Sequence, residues 1–319
     1  LTLRYAAMIA CGAARYALAR GDRAEAAELW PLVEWCLEYC RRQLTADGVV
    51  ASDTDELEGR FPTGDANLCT STLYYDALLS AVSLGRELGV ESAQTARYAA
   101  QARALARAID AHFGGEVGGY DTYRYYAGNT LLRSWICMPL IVGLKERSEG
   151  TVRALLGPEL MTDDGLLTQQ GSSTFWDRST LYALRGIYNV GQADRATELL
   201  HRYSQRRLLG DHVPYPIEAW PEGSQRHLSA ESGLYCRIIT EGLFGIRPTG
   251  LRSFDLTPSM PAAWESMSLR HIRAFGSDFD ITVARVADGR LRITVARPGA
   301  KPKIYRAAPG ATIRVKLTD

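Results

Sequence analysis

Nothing in the 319 residues approaches the roughly 20 consecutive apolar residues of a membrane-spanning helix, and no leader-like pattern opens the chain. Net charge is also scarce. The 37 basic side chains stand against 36 acidic ones, for a formal +1, which supplies no basic surface for nucleic acid or an anionic membrane. Metal and redox signatures are missing as well. The six cysteines (Cys11, Cys36, Cys40, Cys69, Cys137, Cys236) include no CxxC pair, and none stands at ligand spacing from a histidine. They fall inside apolar helical runs and read as buried thiols, which leans towards a reducing, cytoplasmic compartment. There is no glycine-rich phosphate loop, nucleophile elbow or HExxH helix. These absences exclude the common nucleotide, serine-hydrolase and zinc-protease chemistries, and the sequence calls for no cofactor and no metal.

What is present is helical grammar. Residues 3–20 and 24–43 repeat apolar positions at helical period, separated by Gly21-Asp22, and so predict a helical hairpin. Further helix-like runs follow at about 66–89, 92–113, 130–146, 151–157, 176–190, 193–208 and 232–244. In the first of these, Leu73, Ala77, Leu78, Ala81 and Leu84 form the apolar stripe. Repeated antiparallel pairs suggest a toroid of helical hairpins rather than a four-helix bundle. A closed ring of six hairpins needs twelve helices, so three more are expected before Leu1. After Pro248 the period becomes two: Phe279, Ile281 and Val283, then Leu291, Ile293 and Val295, then Ile313, Val315 and Leu317, with Asp288-Gly289 at a hairpin turn. The expected division is a helical domain over 1–247 and a small antiparallel β domain over 248–319.

The long polar loops between helices carry the chemistry. One contains Asp53-Thr-Asp-Glu-Leu-Glu-Gly-Arg60, with Asp55, Glu56 and Glu58 close enough to raise one another's pKa if enclosed. A calcium site there fails on EF-hand spacing. A second, Tyr215 to Glu231, holds Glu218, Glu222 and Glu231 with Trp220, Arg226 and His227. In a helix toroid alternate loops share one rim, so these two can face each other across the central cavity. Cleavage of a glycosidic bond needs two such carboxylates, one to protonate the leaving oxygen and one to activate water. Other lining candidates are Arg60, Tyr123, Arg124, Trp135, Trp176 and Arg178, which suit sugar stacking and hydroxyl recognition. Asp177 is placed to cap its helix, Glu231 reads as a helix N-terminal acid, Trp35 as core, and Trp264 as packing at the domain seam.

The order and spacing of these features resemble the six-hairpin (α/α)6-barrel glycosidases: glucoamylases, α-L-rhamnosidases, trehalases and related disaccharide phosphorylases. In glucoamylase-like members the general acid lies on the loop after the fifth barrel helix, with seven helices following. Seven helix-like runs follow Asp53–Arg60 here. The base lies before the last helix, and Ile217-Glu218-Ala219-Trp220 is similar to the Glu-x-Trp element of rhamnosidases. The stretch Ile239–Pro248, then Leu256–Pro261, looks like the exit into their C-terminal β-sandwich. The resemblance implies Glu56 as acid, with Asp55 and Glu58 as rivals, and Glu218 as base, with Glu222 in reserve. The Arg-Asp-Glu-Arg acid element of rhamnosidases is absent, which argues against rhamnose as the substrate.

An inverting, exo-acting glycosidase on a carbohydrate substrate is therefore expected, with no nucleic-acid or membrane partner and the oligomeric state open. A phosphorylase would replace the activated water with phosphate held by Arg226, His227 and Ser229, but a carboxylate at Glu218 would repel that phosphate. The third possibility is a non-catalytic carbohydrate-binding toroid.

Overall fold

The computed structural model describes residues 5–54, 62–209, 215–217, 219–220 and 229–318. Helices α1 (Ala6–Arg20) and α2 (Arg23–Arg42) form the first hairpin. Gly21 ends α1 in the left-handed region, and the Asp22 side chain caps α2 by accepting from the Ala24 and Glu25 amides. Then come α3 (Leu68–Leu88), α4 (Ser92–Phe113), the hairpin β1 (Gly114–Val117) and β2 (Tyr120–Tyr123), α5 (Met138–Val142) and α6 (Ser148–Leu155). The short pair β3 (Met161–Thr162) and β4 (Gly165–Leu166) leads through β5 (Phe175–Trp176) to α7 (Asp177–Asn189) and α8 (Ala193–Tyr203). Last in the helical part are β6 (Ala219–Trp220), α9 (Ser229–Arg237) and a π-helical turn at Ile238–Leu243.

Burial separates an inner from an outer layer. Helices α3 and α7 are buried almost all round, whereas α2, α4 and α8 bury a single stripe and present charge outward. The odd-numbered helices touch in succession: α1 on α3, α3 on α5, α5 on α7, and α7 on α9 and the turn after it. The even-numbered α2, α4 and α8 pack outside them. The alanine-rich face of α1 (Ala6, Ala7, Ala10, Ala14, Ala17) lets it pack closely between α2 and α3. This is the toroid of hairpins. Several sequence expectations need correcting. The expected helix over 130–146 is a short 3-10 turn at Ser134–Cys137 followed by the single turn of α5, because Gly143 in the left-handed region stops it. Trp35 is not core: the buried stripe of α2 runs through Ala26, Trp30, Val33, Leu37 and Cys40, and Trp35 lies off it, exposed and stacked on Tyr39. Cys236 is likewise exposed, while the other five cysteines are buried.

Between α9 and α1, where helix packing is slight among the described residues, an ion pair crosses the gap: Arg15 Nη2 to Glu241 Oε2 at 2.8 Å. Arg15 also reaches Asp76 Oδ2 at 3.0 Å, and Arg247 reaches Asp76 Oδ1 at 2.6 Å.

The β part contains β7 (Ile246–Gly250), β8 (Ser253–Leu256), β9 (Ser266–Ala274), β10 (Ser277–Arg285), β11 (Leu291–Ala296), β12 (Lys303–Ala307) and β13 (Ile313–Lys316). They form a four-stranded antiparallel sheet in the order β12-β11-β10-β9 and a three-stranded one in the order β13-β8-β7. Phe254 of one sheet meets Phe279 of the other at 5.5 Å, with Phe275 stacked on Phe254 at 5.0 Å, which makes the pair a sandwich. The sandwich docks on the ring through β7 against α1 and α3, and through the β9–β10 tip. There Phe275 N–H donates to the Ala19 carbonyl at 2.6 Å and Gly276 N–H to the Arg20 carbonyl. Trp264, expected to pack at the domain seam, is 38% exposed.

Two predictions follow from this seam. A Cβ at Gly21 would stand 2.3 Å from the Gly276 nitrogen, and Gly21 has φ +73°, so Gly21→Ala should destabilise folding by at least about 2 kcal/mol. A shift in denaturant midpoint measures it; an unchanged midpoint would show the seam to be pliable. Burial alone would raise the Asp76 and Glu241 carboxyls, but Arg247 and Arg15 at Asp76, and Arg15 and Arg237 at Glu241, hold both well below the usual carboxylate range. With folded pKa values depressed, their stabilisation is complete above the unfolded value near about 4 and is lost only as pH falls below it. Thermal midpoints in Asp76→Asn and Glu241→Gln should therefore converge on the unaltered protein's only below about pH 4.

Candidate functional site

The inner helices α3, α7 and α9 begin at the same end of the ring, and the loops entering them are fastened to one another by backbone bonds. Ala51 bridges Ala66, and the Ser52 amide donates to Asp65 O at 2.8 Å. Asn67 bridges Tyr126, and the Leu68 amide donates to Tyr125 O. Arg133 bridges Gln169, Leu167 bridges Phe175, and β5 pairs with β6, setting Phe175 opposite Trp220. Loop backbone that cannot join a helix must find partners elsewhere, and here the loops find each other. The result is a girdle running from residues 50–54 and 62–67 through 125–133 and 167–176 to Ala219–Trp220.

Side chains lock the girdle. Asn67, fully buried, caps α3 by accepting from the Thr70 amide at 2.8 Å while its Nδ2 donates to Thr54 O at 3.2 Å, so it ties both ends of the first acidic loop together. Gly64 (φ +64°) lies against the Tyr126 side chain, whose Cβ an added Cβ would meet at 2.8 Å and whose ring at 3.0 Å. Arg133, 1% exposed, stacks its guanidinium 4.2 Å from the Tyr125 ring centre and donates from Nη1 to Pro62 O at 2.9 Å. Asp177 fastens the second loop. It is the first residue of α7 and does not cap it; Trp176 holds the cap position without a side-chain bond. Instead its buried carboxylate pairs with Arg207 at 3.1 Å and accepts the Ile217 amide at 2.8 Å. That bond holds the chain one residue before Glu218.

Below the girdle lies an aromatic floor. Trp135 packs on Trp176 at 5.9 Å and on Tyr182 at 5.9 Å, with Trp135 and Trp176 almost fully buried. Arg178, whose side chain keeps 19% exposure, donates from Nε to Glu231 at 2.8 Å. Glu231 is completely buried in the first turn of α9, and its Oε2 has no hydrogen-bond partner among the described residues. The sequence pattern understated it: a helix-start acid gives no sign of its pairing with an arginine 53 positions away. Tyr123 and Arg124 are committed to the β1–β2 hairpin. Tyr123 is buried, which raises its phenol pKa, and Arg124 Nη1 donates to Gly114 O at 2.9 Å. Asp55, Glu56, Glu58, Arg60, Glu218, Glu222, Arg226 and His227 lie outside the described residues, and Trp220 is fixed through its backbone in β6. Among the described residues no group of three or more His, Cys, Asp or Glu side chains could hold a metal ion, and no helix is long and apolar enough to cross a membrane.

The Asp177 anchor is testable. Asp177→Ala leaves Arg207 buried without its carboxylate and should cost about 3–5 kcal/mol. Amide exchange at Ile217 should accelerate beyond that of the α7 core. Loss of stability without faster exchange at Ile217 would separate the ion pair from the loop anchor.

No protein-family model matches the sequence, and no curated protein matches it. Solved structures do. A protein described as a sialidase superposes at TM-score 0.67 with 15% identity, covering 95% of this chain and 32% of that one. A family 78 rhamnosidase from a Bacillus species gives 0.57 at 16% identity over 93% of this chain and 31% of its own. The α-L-rhamnosidase of Aspergillus terreus gives 0.51 at 11% identity over 98% and 39%. The chain thus spans about a third of the length of the first two structures. At such identities the likeness is one of fold alone: a helical barrel followed by a β-sandwich.

Proposed function

We propose that the girdled rim carries a glycoside hydrolase site, in which the barrel over 1–247 supplies the catalytic residues and 248–319 forms the supporting β domain. The observation that carries the proposal is the continuous backbone linkage between the two carboxylate-bearing loops. Thr54 and Pro62 flank the first cluster, and Ile217 and Ala219 flank Glu218, all in segments bound into one rim. A rigid rim is what catalysis by two opposed acids requires, since displacements of an ångström cost orders of magnitude in rate.

In this mechanism Glu56 donates a proton to the glycosidic oxygen, with Asp55 and Glu58 as its nearest rivals. Glu218 removes a proton from a water on the opposite face of the sugar, giving inversion in an exo-acting enzyme. Arg178, held by Glu231, presents a cation to sugar hydroxyls above the Trp135–Trp176 floor. Trp220, Glu222, Arg60 and His227 complete the substrate contacts from the two loops. The substrate is a carbohydrate. The Bacillus and Aspergillus structures are rhamnosidases by name, but the missing Arg-Asp-Glu-Arg element argues against rhamnose as the sugar this chain takes.

A panel of aryl-glycosides identifies the released sugar. On the substrate so found, Glu56→Gln and Glu218→Gln should each lower kcat by about 10² to 10⁴, with thermal midpoints unchanged. Full activity in both variants would refute the assignment. Sugar binding without turnover by the unaltered protein would make it a binding module, and turnover only in the presence of phosphate would make it a phosphorylase.

A further inference from the structure

Beneath the aromatic floor the ring is hollow, and the hollow is charged. A cavity of about 280 Å³ is bounded by Cys11 and Arg15 of α1, Asp76 of α3, Arg185 of α7, and Arg237 and Glu241 at the end of the ring. Three guanidinium groups converge on one oxygen, Glu241 Oε2: Arg15 at 2.8 Å, Arg185 at 2.9 Å and Arg237 at 3.0 Å. Arg237 also reaches Oε1 at 2.6 Å. Arg247 and Arg15 share Asp76. Four arginines thus face two carboxylates, an excess of two positive charges. The neighbouring cavity towards the β-sandwich adds Lys145 and no further acid among its lining residues. Cys11 and Tyr182, the other titratable groups facing the hollow from α1 and α7, are both pushed up by burial and stay neutral. Tyr16 stands at its exposed mouth beside Gly12.

Charge in excess of its partners is costly to bury. The cost concentrates at Arg185, whose side chain is 5% exposed. One nitrogen meets Glu241, the guanidinium lies 5.1 Å from the Tyr182 ring centre, and Nε is buried with no partner among the described residues. Burial and the adjacent Arg237 lower its pKa to about 10. We propose that this hollow is an anion site, in which Arg185 and Arg237 bind a small oxyanion of the phosphate, sulfate or carboxylate class. Planar guanidinium forks match the paired oxygens of such ions, and the cavity has room for one beside Glu241. The bound charge would offset the excess and brace α1, α7 and the 238–243 turn against one another. Because the site lies below the floor, it is separate from the rim chemistry.

The probe is inorganic phosphate, exchanged for chloride at constant ionic strength while the thermal unfolding midpoint is followed. A single site predicts a rise of at least about 2 °C that saturates with concentration. In Arg185→Gln the apparent dissociation constant should weaken at least about tenfold. If that variant does not fold, Arg237→Gln, at a half-exposed position, takes its place, with titration calorimetry on the unaltered protein as the direct measure of binding. Absence of a saturable rise, or one that persists unchanged in the variants, would overturn the proposal; the second result would place the phosphate at the rim or elsewhere.

Discussion

Everything proposed for this protein depends on how its interhelical loops satisfy their backbone. Polar peptide groups at the end of a helical ring cannot join the helices, and burying them unpaired is costly. Here they pair with one another, from Ala51–Ala66 through Arg133–Gln169 to Phe175–Trp220. The hydrogen bonds that remove this cost also join the described parts of the loops into one network. A loop–loop network of this kind positions side chains more accurately than isolated loops would, and it does so at the end of the barrel where the inner helices α3, α7 and α9 begin.

The same ring is organised lower down by charge. Above the aromatic floor, Arg178 and Glu231 form a buried pair in which one carboxylate oxygen has no partner among the described residues. Below it, Glu241 gathers three arginines, and Arg15 links α1 to the far end of the ring where helix packing is slight. Such networks contribute little net stability over an apolar core, but breaking one partner is expensive. They therefore fix which helix faces meet. The β-sandwich adds its own constraint, since Arg247 joins Asp76 from the first strand and the β9–β10 tip hydrogen-bonds the end of α1.

Much of the architecture was legible in the sequence. The stripe of Leu73, Ala77, Leu78, Ala81 and Leu84 is buried in α3, Gly21-Asp22 does divide the first hairpin, and period two marks β10 and β11. What was not legible shares one physical cause: it depends on contacts between residues far apart in the chain. Asp177 carries every mark of a cap, yet its carboxylate serves Arg207 and Ile217. Arg15 and Glu241 are 226 positions apart and look like solitary charges on helices. The girdle has no side-chain signature, because backbone amides make it. Trp35 shows the limit of periodicity, since one step along a helix turns a side chain by about 100° and out of the core.

The central claim is that Glu56 and Glu218 oppose each other across the rim. The most direct measurement is the distance between their carboxyl groups, determined by crystallography of the protein with a non-hydrolysable sugar bound. Inverting chemistry predicts a separation of about 6.5–9.5 Å with the sugar between them. Carboxyl groups well beyond that range, or a sugar bound away from both, would contradict the account.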